Sequence, residues 1–226
     1  MSTYILNIET ATTNCSVSLS KNGETIVLKE DNDKNYSHAE RLHLYIDAVL
    51  KEGQITSSDL SAVAVSKGPG SYTGLRIGVS AAKGLCFALN KPLIAVPTLE
   101  SLAHQVTAES GVIVAMLDAR RMEVYSAIYD IDYNEIRETQ AEILDESSFA
   151  NYLEEGLVYF VGNGVAKTKT LISHPNARFI DEKLPSAKEM GVIAKNKYKK
   201  SDTEDVAYFE PYYLKDFVAL KPKPKS

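Results

Sequence analysis

The chain has 226 residues, enough for one large domain or two small ones and for a core that needs no metal or disulfide staples. Its 25 basic and 30 acidic side chains leave a net charge of −5, which excludes the strong overall positive field of a general nucleic-acid binder. Hydrophobic residues at 44% and charged ones at 24% describe a folded, soluble protein and exclude chain-wide disorder.

The two cysteines, Cys15 and Cys86, both lie in apolar runs and in no metal-like spacing, as expected of reduced, buried thiols in a cytoplasmic protein. The first strand-like run begins almost at once, with no basic leader before it. The longest apolar candidate, Leu75 to Leu89, is interrupted by Arg76, Ser80 and Lys83, short of a membrane span. A soluble, cytoplasmic protein is the expectation.

In chain order, Tyr4 to Ile8 reads as a buried strand, and Ser16 to Leu19 and Glu24 to Leu28 as a hairpin around Lys21-Asn-Gly23. Ser37 and Glu40 form a capping box for a helix whose Leu42, Tyr45, Ile46, Val49 and Leu50 share one face, with Gly53 as its stop. Leu60 to Val65 is a strand that ends in Lys67-Gly-Pro-Gly70. A helix from about Thr73 to Leu89 follows, then a strand Leu93 to Val96, then a helix capped by Thr98 and running towards Ala108.

The second half reads as strands Val112 to Leu117, Val124 to Tyr129 and Glu135 to Ile143. These lead to a helix Ser147 to Glu155, a strand Leu157 to Val161 and a helix after Gly164. A weak strand at Phe179-Ile180 precedes a helix opened by a Ser186–Glu189 capping box and running to about Tyr198. The order strand-strand-strand-helix-strand-helix-strand-helix therefore occurs twice, dividing the chain at 1–108 and 109–226. The segment 205–216 is expected to return to the first half, and Lys221-Pro-Lys-Pro-Lys225 reads as a solvated tail. A duplicated unit of this kind is the arrangement of the actin-like (ribonuclease H-like) α/β fold in two lobes.

The most informative stretch is Gly68-Pro-Gly-Ser-Tyr-Thr-Gly-Leu-Arg-Ile-Gly78. Gly68 and Gly70 allow positive φ, and Ser71 or Thr73 can cap the helix, so the loop is either a tight strand-to-helix turn or an anion cradle. It lacks the Gly-Lys-Ser/Thr of a P-loop. Behind it Gly74, Gly78 and Ala82, with Ala81 beside them, form a stripe of small residues. That stripe suits close packing against the chain's own sheet or against a partner helix.

The turns that hold phosphates in an actin-like ATPase read Glu9-Thr-Ala-Thr-Thr-Asn14 and Asp118-Ala-Arg-Arg-Met122. Such turns place a glycine two residues after the acid, so that amides can cup phosphate. Ala11 and Arg120 stand there instead, which argues against phosphoryl transfer. Gly162-Asn-Gly164 is either a turn or an adenine contact. No metal site emerges, since His38 and His43 lie about 140° apart around a helix.

Glu9-Thr10, Ser37-His-Ala-Glu-Arg-Leu42, the Gly68–Gly78 motif, Lys83-Gly-Leu85, Pro97-Thr-Leu-Glu100, Asp118-Ala-Arg120 with Glu123-Val-Tyr125, and Pro211-Tyr-Tyr-Leu214 together resemble the TsaB (YeaZ) family. That family belongs to the glycoprotease-like branch of the actin-like superfamily. The resemblance implies a non-catalytic subunit in the formation of threonylcarbamoyladenosine on ANN-decoding tRNAs. It implies as partners the catalytic paralogue TsaD and the ATPase TsaE, a homodimer when alone, and tRNA only through the complex. No cofactor is firmly implied, with ATP or ADP left open at the level of the complex. The paralogue's metal-binding His-x-x-x-His would fall on Thr98 and Leu102, neither of which supplies an imidazole.

Carried onto this chain, the partner surface is His38, Arg41, Leu42, Tyr45, Gly74, Arg76, Ile77, Gly78, Ala81, Ala82 and Lys83. Glu9, Thr10, Gly68, Gly70, Ser71, Asp118, Gly162 and Gly164 would line a vestigial nucleotide site. The alternatives are an independent ATP-dependent kinase or hydrolase using Glu9 and Asp118, and a glycopeptidase, for which no nucleophile or metal set is visible.

Overall fold

The computed structural model describes residues 2–32 and 38–215. The Ser37 half of the first capping box and the tail from residue 216 lie outside them.

The first half contains β1 (Tyr4–Glu9), β2 (Cys15–Lys21), β3 (Glu24–Asp31), α1 (His38–Glu52), β4 (Ala62–Gly68), α2 (Tyr72–Leu89), β5 (Leu93–Pro97) and α3 (Thr98–Ala103). The second contains β6 (Val112–Asp118), β7 (Glu123–Tyr129), β8 (Glu135–Ile143), α4 (Ala150–Glu155), β9 (Val158–Val161), α5 (Val165–Leu171), β10 (Ala177–Ile180) and α6 (Ala187–Lys199). Each half makes a five-stranded sheet, ordered β3-β2-β1-β4-β5 and β8-β7-β6-β9-β10, and the two orders correspond strand for strand. In both, the first three strands are antiparallel and the remaining pairings parallel. This is the two-lobed, duplicated βββαβαβα actin-like architecture.

Local chemistry explains the elements. Asn22 at φ 54° and Gly23 at φ 90° turn the β2–β3 hairpin. Ser71 caps α2 by accepting from the Gly74 amide at 3.3 Å, and Asn90 ends it in the left-handed region. Three expectations change. The left-handed residue after α1 is Gln54, at φ 54°, one beyond Gly53. Thr98 lies inside α3 and spends its hydroxyl on the Gly68 amide at 3.1 Å, so Pro97 is the cap and α3 ends at Ala103. Ser186 caps α6 by accepting from the Lys188 amide in place of that of Glu189, and Glu189 Oε2 has no partner, so a simple N-cap stands where the box was expected.

The helices are shared between the halves. Leu6, Ile8, Val17, Leu19, Val63 and Val65 face α1 and α2. The opposite face of the same sheet, with Ile5, Ala62, Ala64, Ile94 and Val96, is covered by Ala187, Met190, Ile193 and Ala194 of α6. Conversely, Leu99, Leu102 and Ala103 of α3 pack on Ile113, Ala115 and Ala127 of the second sheet. The α6 contact is also polar: Ser18 Oγ donates to the Ala187 carbonyl at 2.7 Å, and Ser16 Oγ accepts from the Ala187 amide at 3.0 Å.

Residues 204–215 return to the first half. Glu204 N–H donates to the Leu93 carbonyl, and Tyr212 N–H to the Lys67 carbonyl at 2.7 Å. Val206 and Phe209 add to the core beneath α2.

Candidate functional site

A groove of about 740 Å³ lies between α1 and α2. Its walls include Ala39 and His43 from α1 and Arg76, Ile77, Ala81 and Gly84 from α2. A Cβ built at Gly84 meets nothing within 4 Å, so the floor is open there. Leu44 and Phe87 stand on the same two helices with 66% and 86% of their surface exposed. Exposed apolar residues on adjoining helices have the composition common at protein–protein interfaces.

The expected partner residues divide. Arg76, Ile77 and Ala81 line the groove. Leu42, Gly74, Gly78 and Ala82 do not, because they are buried against the chain's own sheet. A Cβ at Gly74 would stand 2.1 Å from the Thr10 carbonyl oxygen, and one at Gly78 2.2 Å from Thr10 Oγ1. The small-residue stripe therefore serves intramolecular packing, and the partner reading of it is corrected.

His38 Nε2 lies 2.7 Å from the Thr12 carbonyl, and Arg41 pairs with Asp31. Tyr45 packs partly into the core. Lys83 Nζ donates to the carbonyls of Ala207 and Phe209, which ties the returning segment to α2. Gly84, Leu44 and Phe87 were missed. Their signal was available as positions beside the stripe and off the buried α1 face, inside the Lys83-Gly-Leu85 motif for Gly84.

The first phosphate-type turn is filled by the protein itself. Thr10 Oγ1 donates to the Gly74 carbonyl at 2.8 Å, and the Ser71 amide to the Ala11 carbonyl at 2.7 Å. Gly70 is needed because a Cβ would lie 2.5 Å from Ala11 O, and Gly68, at φ 109°, because one would lie 2.6 Å from Tyr212 O. The glycine-rich loop thus packs on the Glu9–Ala11 turn and on the returning segment. Glu9 is fully buried, with Oε1 accepting from the Ala11 amide at 2.6 Å and from Ser66 Oγ at 2.7 Å. Burial raises its pKa to about 7 against those hydrogen bonds, and Oε2 has no partner.

The second turn holds an internal cation. Lys167 Nζ lies 3.0 Å from Asp118 Oδ1 and donates to the carbonyls of Arg121 at 2.6 Å and Glu123 at 3.0 Å. Arg120 and Arg121 have φ of 72° and 47°, so the conformation a glycine would adopt is kept with arginine in its place. Gly162 packs on the Met116 carbonyl and Gly164 on the Met116 and Val124 side chains, while Asn163 Oδ1 accepts from the Asp118 amide. Gly162-Asn-Gly164 is a structural turn. Thr98 and Leu102 are both buried, and no cluster of three or more metal-ligating side chains occurs among the described residues.

Residues 32–223 match the family model for TsaD, tRNA N6-adenosine threonylcarbamoyltransferase. The tRNA threonylcarbamoyladenosine biosynthesis protein TsaB of Escherichia coli (strain K12) is 33% identical over 97% of this chain and 98% of its own length. The chain belongs to the TsaB (YeaZ) family.

The TsaB protein of Haemophilus influenzae is 29% identical over 97% of both chains. Among solved structures, YeaZ from Pseudomonas aeruginosa superposes with a TM-score of 0.81 at 26% identity, covering 94% of this chain and all of that one. A second Pseudomonas aeruginosa structure, described as similar to peptidase YeaZ, gives 0.82 at the same identity and the same 94% of this chain. TsaB-family membership accounts for the fold over nearly the whole chain.

Proposed function

We propose that this chain is the non-catalytic scaffold and activator subunit of a threonylcarbamoyladenosine-forming assembly acting on ANN-decoding tRNAs. Its α1–α2 groove receives the equivalent helices of a catalytic TsaD-type paralogue, or of a second copy when the chain is alone. The joined pair recruits the ATPase TsaE. The cytoplasm is the proposed compartment, and 1–108 and 109–226 are the proposed lobes.

The observation that carries this reading is the groove with its open Gly84 and exposed Phe87 on one edge of the first lobe. A partner with a matching helix pair gains contact there only in the arrangement that fits both helices, so binding shifts its population towards that arrangement. An independent kinase or peptidase would need reactive groups open to substrate. Here Thr10 and Gly74 close one turn, and the Lys167 ammonium takes the acceptors of the other.

Gly84→Leu tests the proposal, since it fills open space in the groove without touching the core. The variant should fold normally, fail to co-purify with the paralogue and fail to support tRNA threonylcarbamoylation. Full activity of the paralogue without this chain, or of the complex with Gly84→Leu, refutes the scaffold role.

A further inference from the structure

The groove ends at Tyr72 and Arg76, and a different surface begins there. Arg76 Nη1 donates to the Tyr72 hydroxyl at 2.7 Å, and its guanidinium lies 5.1 Å from the Tyr72 ring centre. The Tyr213 ring stands 5.0 Å from that of Tyr72, on the returning segment. Two residues on, Lys215 pairs with Glu123, the last residue of the turn that carries Arg120 and Arg121. The Lys215–Glu123 pair thus brings Tyr213, with its Tyr72 and Arg76 neighbours, alongside the turn that carries Arg120 and Arg121, and these residues make one track.

Its cationic end is the arginine turn, while burial, helped by Glu210 near Tyr213, raises that phenol's pKa. Lys167 neutralises Asp118 and Lys215 neutralises Glu123. The side chains of Arg120 and Arg121 are exposed and have no hydrogen-bond or ion-pair partner among the described residues. Tyr212 and Tyr213 remain 44% and 37% exposed beside them. Cations interleaved with exposed aromatic rings suit a single strand, whose phosphates take the cations and whose unstacked bases take the rings. A paired stem would leave the rings idle, and so would an acidic protein surface.

We propose that this track is a direct contact for a single-stranded RNA loop, with phosphates on Arg120 and Arg121 and a base against the exposed Tyr213 ring. The inference rests on the reading of the chain as a tRNA-modification subunit, and it adds an RNA contact which that reading leaves to the partner.

Fluorescence anisotropy with the full chain tests it, using a hairpin that carries the anticodon loop of an ANN-decoding tRNA and a fully paired RNA of equal charge. Arg120→Asn/Arg121→Asn removes both cations with a residue that tolerates the left-handed backbone. Tyr213→Leu removes one ring. The loop should bind about tenfold tighter than the paired RNA. The double variant should weaken loop binding about tenfold and flatten the slope of log K against log salt by about 1.4, roughly 0.7 for each single-strand phosphate that is no longer neutralised. Tyr213→Leu should weaken loop binding and leave the slope unchanged.

Equal affinity for both RNAs or an unchanged slope in the double variant overturns the proposal. Co-purification with the paralogue is measured on the same samples. Loss of RNA binding with pairing intact supports the track, and absent RNA binding by the unsubstituted chain sinks it while the scaffold reading stands. Absent pairing by the unsubstituted chain sinks the scaffold reading, and the RNA titration still decides the track.

Discussion

Alanine at a helix-interior glycine ordinarily stabilises by about 1 kcal/mol. Gly74→Ala should do the reverse. The added Cβ would stand 2.1 Å from the Thr10 carbonyl oxygen, a backbone atom that no rotamer change can move. The Thr10 hydroxyl is bonded to the Gly74 carbonyl at 2.8 Å, so displacing the turn also breaks that bond. Overpacking costs about 1–3 kcal/mol and the broken hydrogen bond about 1, which together outweigh the propensity gain and leave a net loss of about 1–3 kcal/mol. Gly84→Ala is the control, because its Cβ meets nothing and the propensity gain of up to about 1 kcal/mol should appear in full. Urea unfolding reads both, as a lower midpoint for Gly74→Ala and a higher one for Gly84→Ala at unchanged m-value. A Gly74→Ala protein as stable as the parent would refute the packing of α2 on the Glu9–Ala11 turn.

Glu9 has a folded pKa of about 7 against an unfolded value near 4.5, so its contribution is fully present below about pH 4.5 and is lost as pH rises through about 7. Glu9→Gln should therefore be more stable than the parent at pH 8, by roughly 1–3 kcal/mol, and flatten the stability profile between those values, as measured by denaturation across pH. Lys167→Met removes three ammonium contacts and should cost about 1–3 kcal/mol, with faster amide exchange at residues 119–123. Gly68→Ala meets both a φ of 109° and the Tyr212 carbonyl at 2.6 Å. Limited proteolysis should then cut residues 204–215 sooner than in the parent, and equal protection would show that Gly68 does not seat that segment.

The element order was legible because its punctuation is local: Asn22-Gly23 for a hairpin, Ser71 for a helix start, and hydrophobic spacing for α1. What escaped is non-local. Ser16, Ser18 and Ser20 alternate with apolar residues as a solvent-facing strand would, yet all three are fully buried. Their partners include an α6 helix some 170 positions later, as the Ala187 amide on Ser16 shows. The exchange of α3 and α6 between sheets has no sequence signature for the same reason. Arg120 illustrates a different limit. The absence of glycine argued against a phosphate turn, but residue type did not show that Arg120 and Arg121 would take left-handed φ values or that Lys167 would hold the carbonyls that follow.

The stripe on α2 shows why residue type alone could not assign the partner surface. Gly74, Gly78 and Ala82 seat the helix on the sheet, while Ile77, Ala81 and Gly84 lie about 60–120° around it and face the groove. Both rows contain small residues, and both satisfy the spacing of a close helix contact. Only the neighbours distinguish them: Thr10 meets a side chain added at Gly78, and nothing meets one added at Gly84. The inner row fixes how far α2 stands from the turn, and that distance sets where the outer row presents itself. A bulky residue at Gly78 would therefore disturb partner binding by displacing the helix and would lower stability with it. One at Gly84 would block the partner with the fold intact, so measuring both quantities on both variants separates seating from contact.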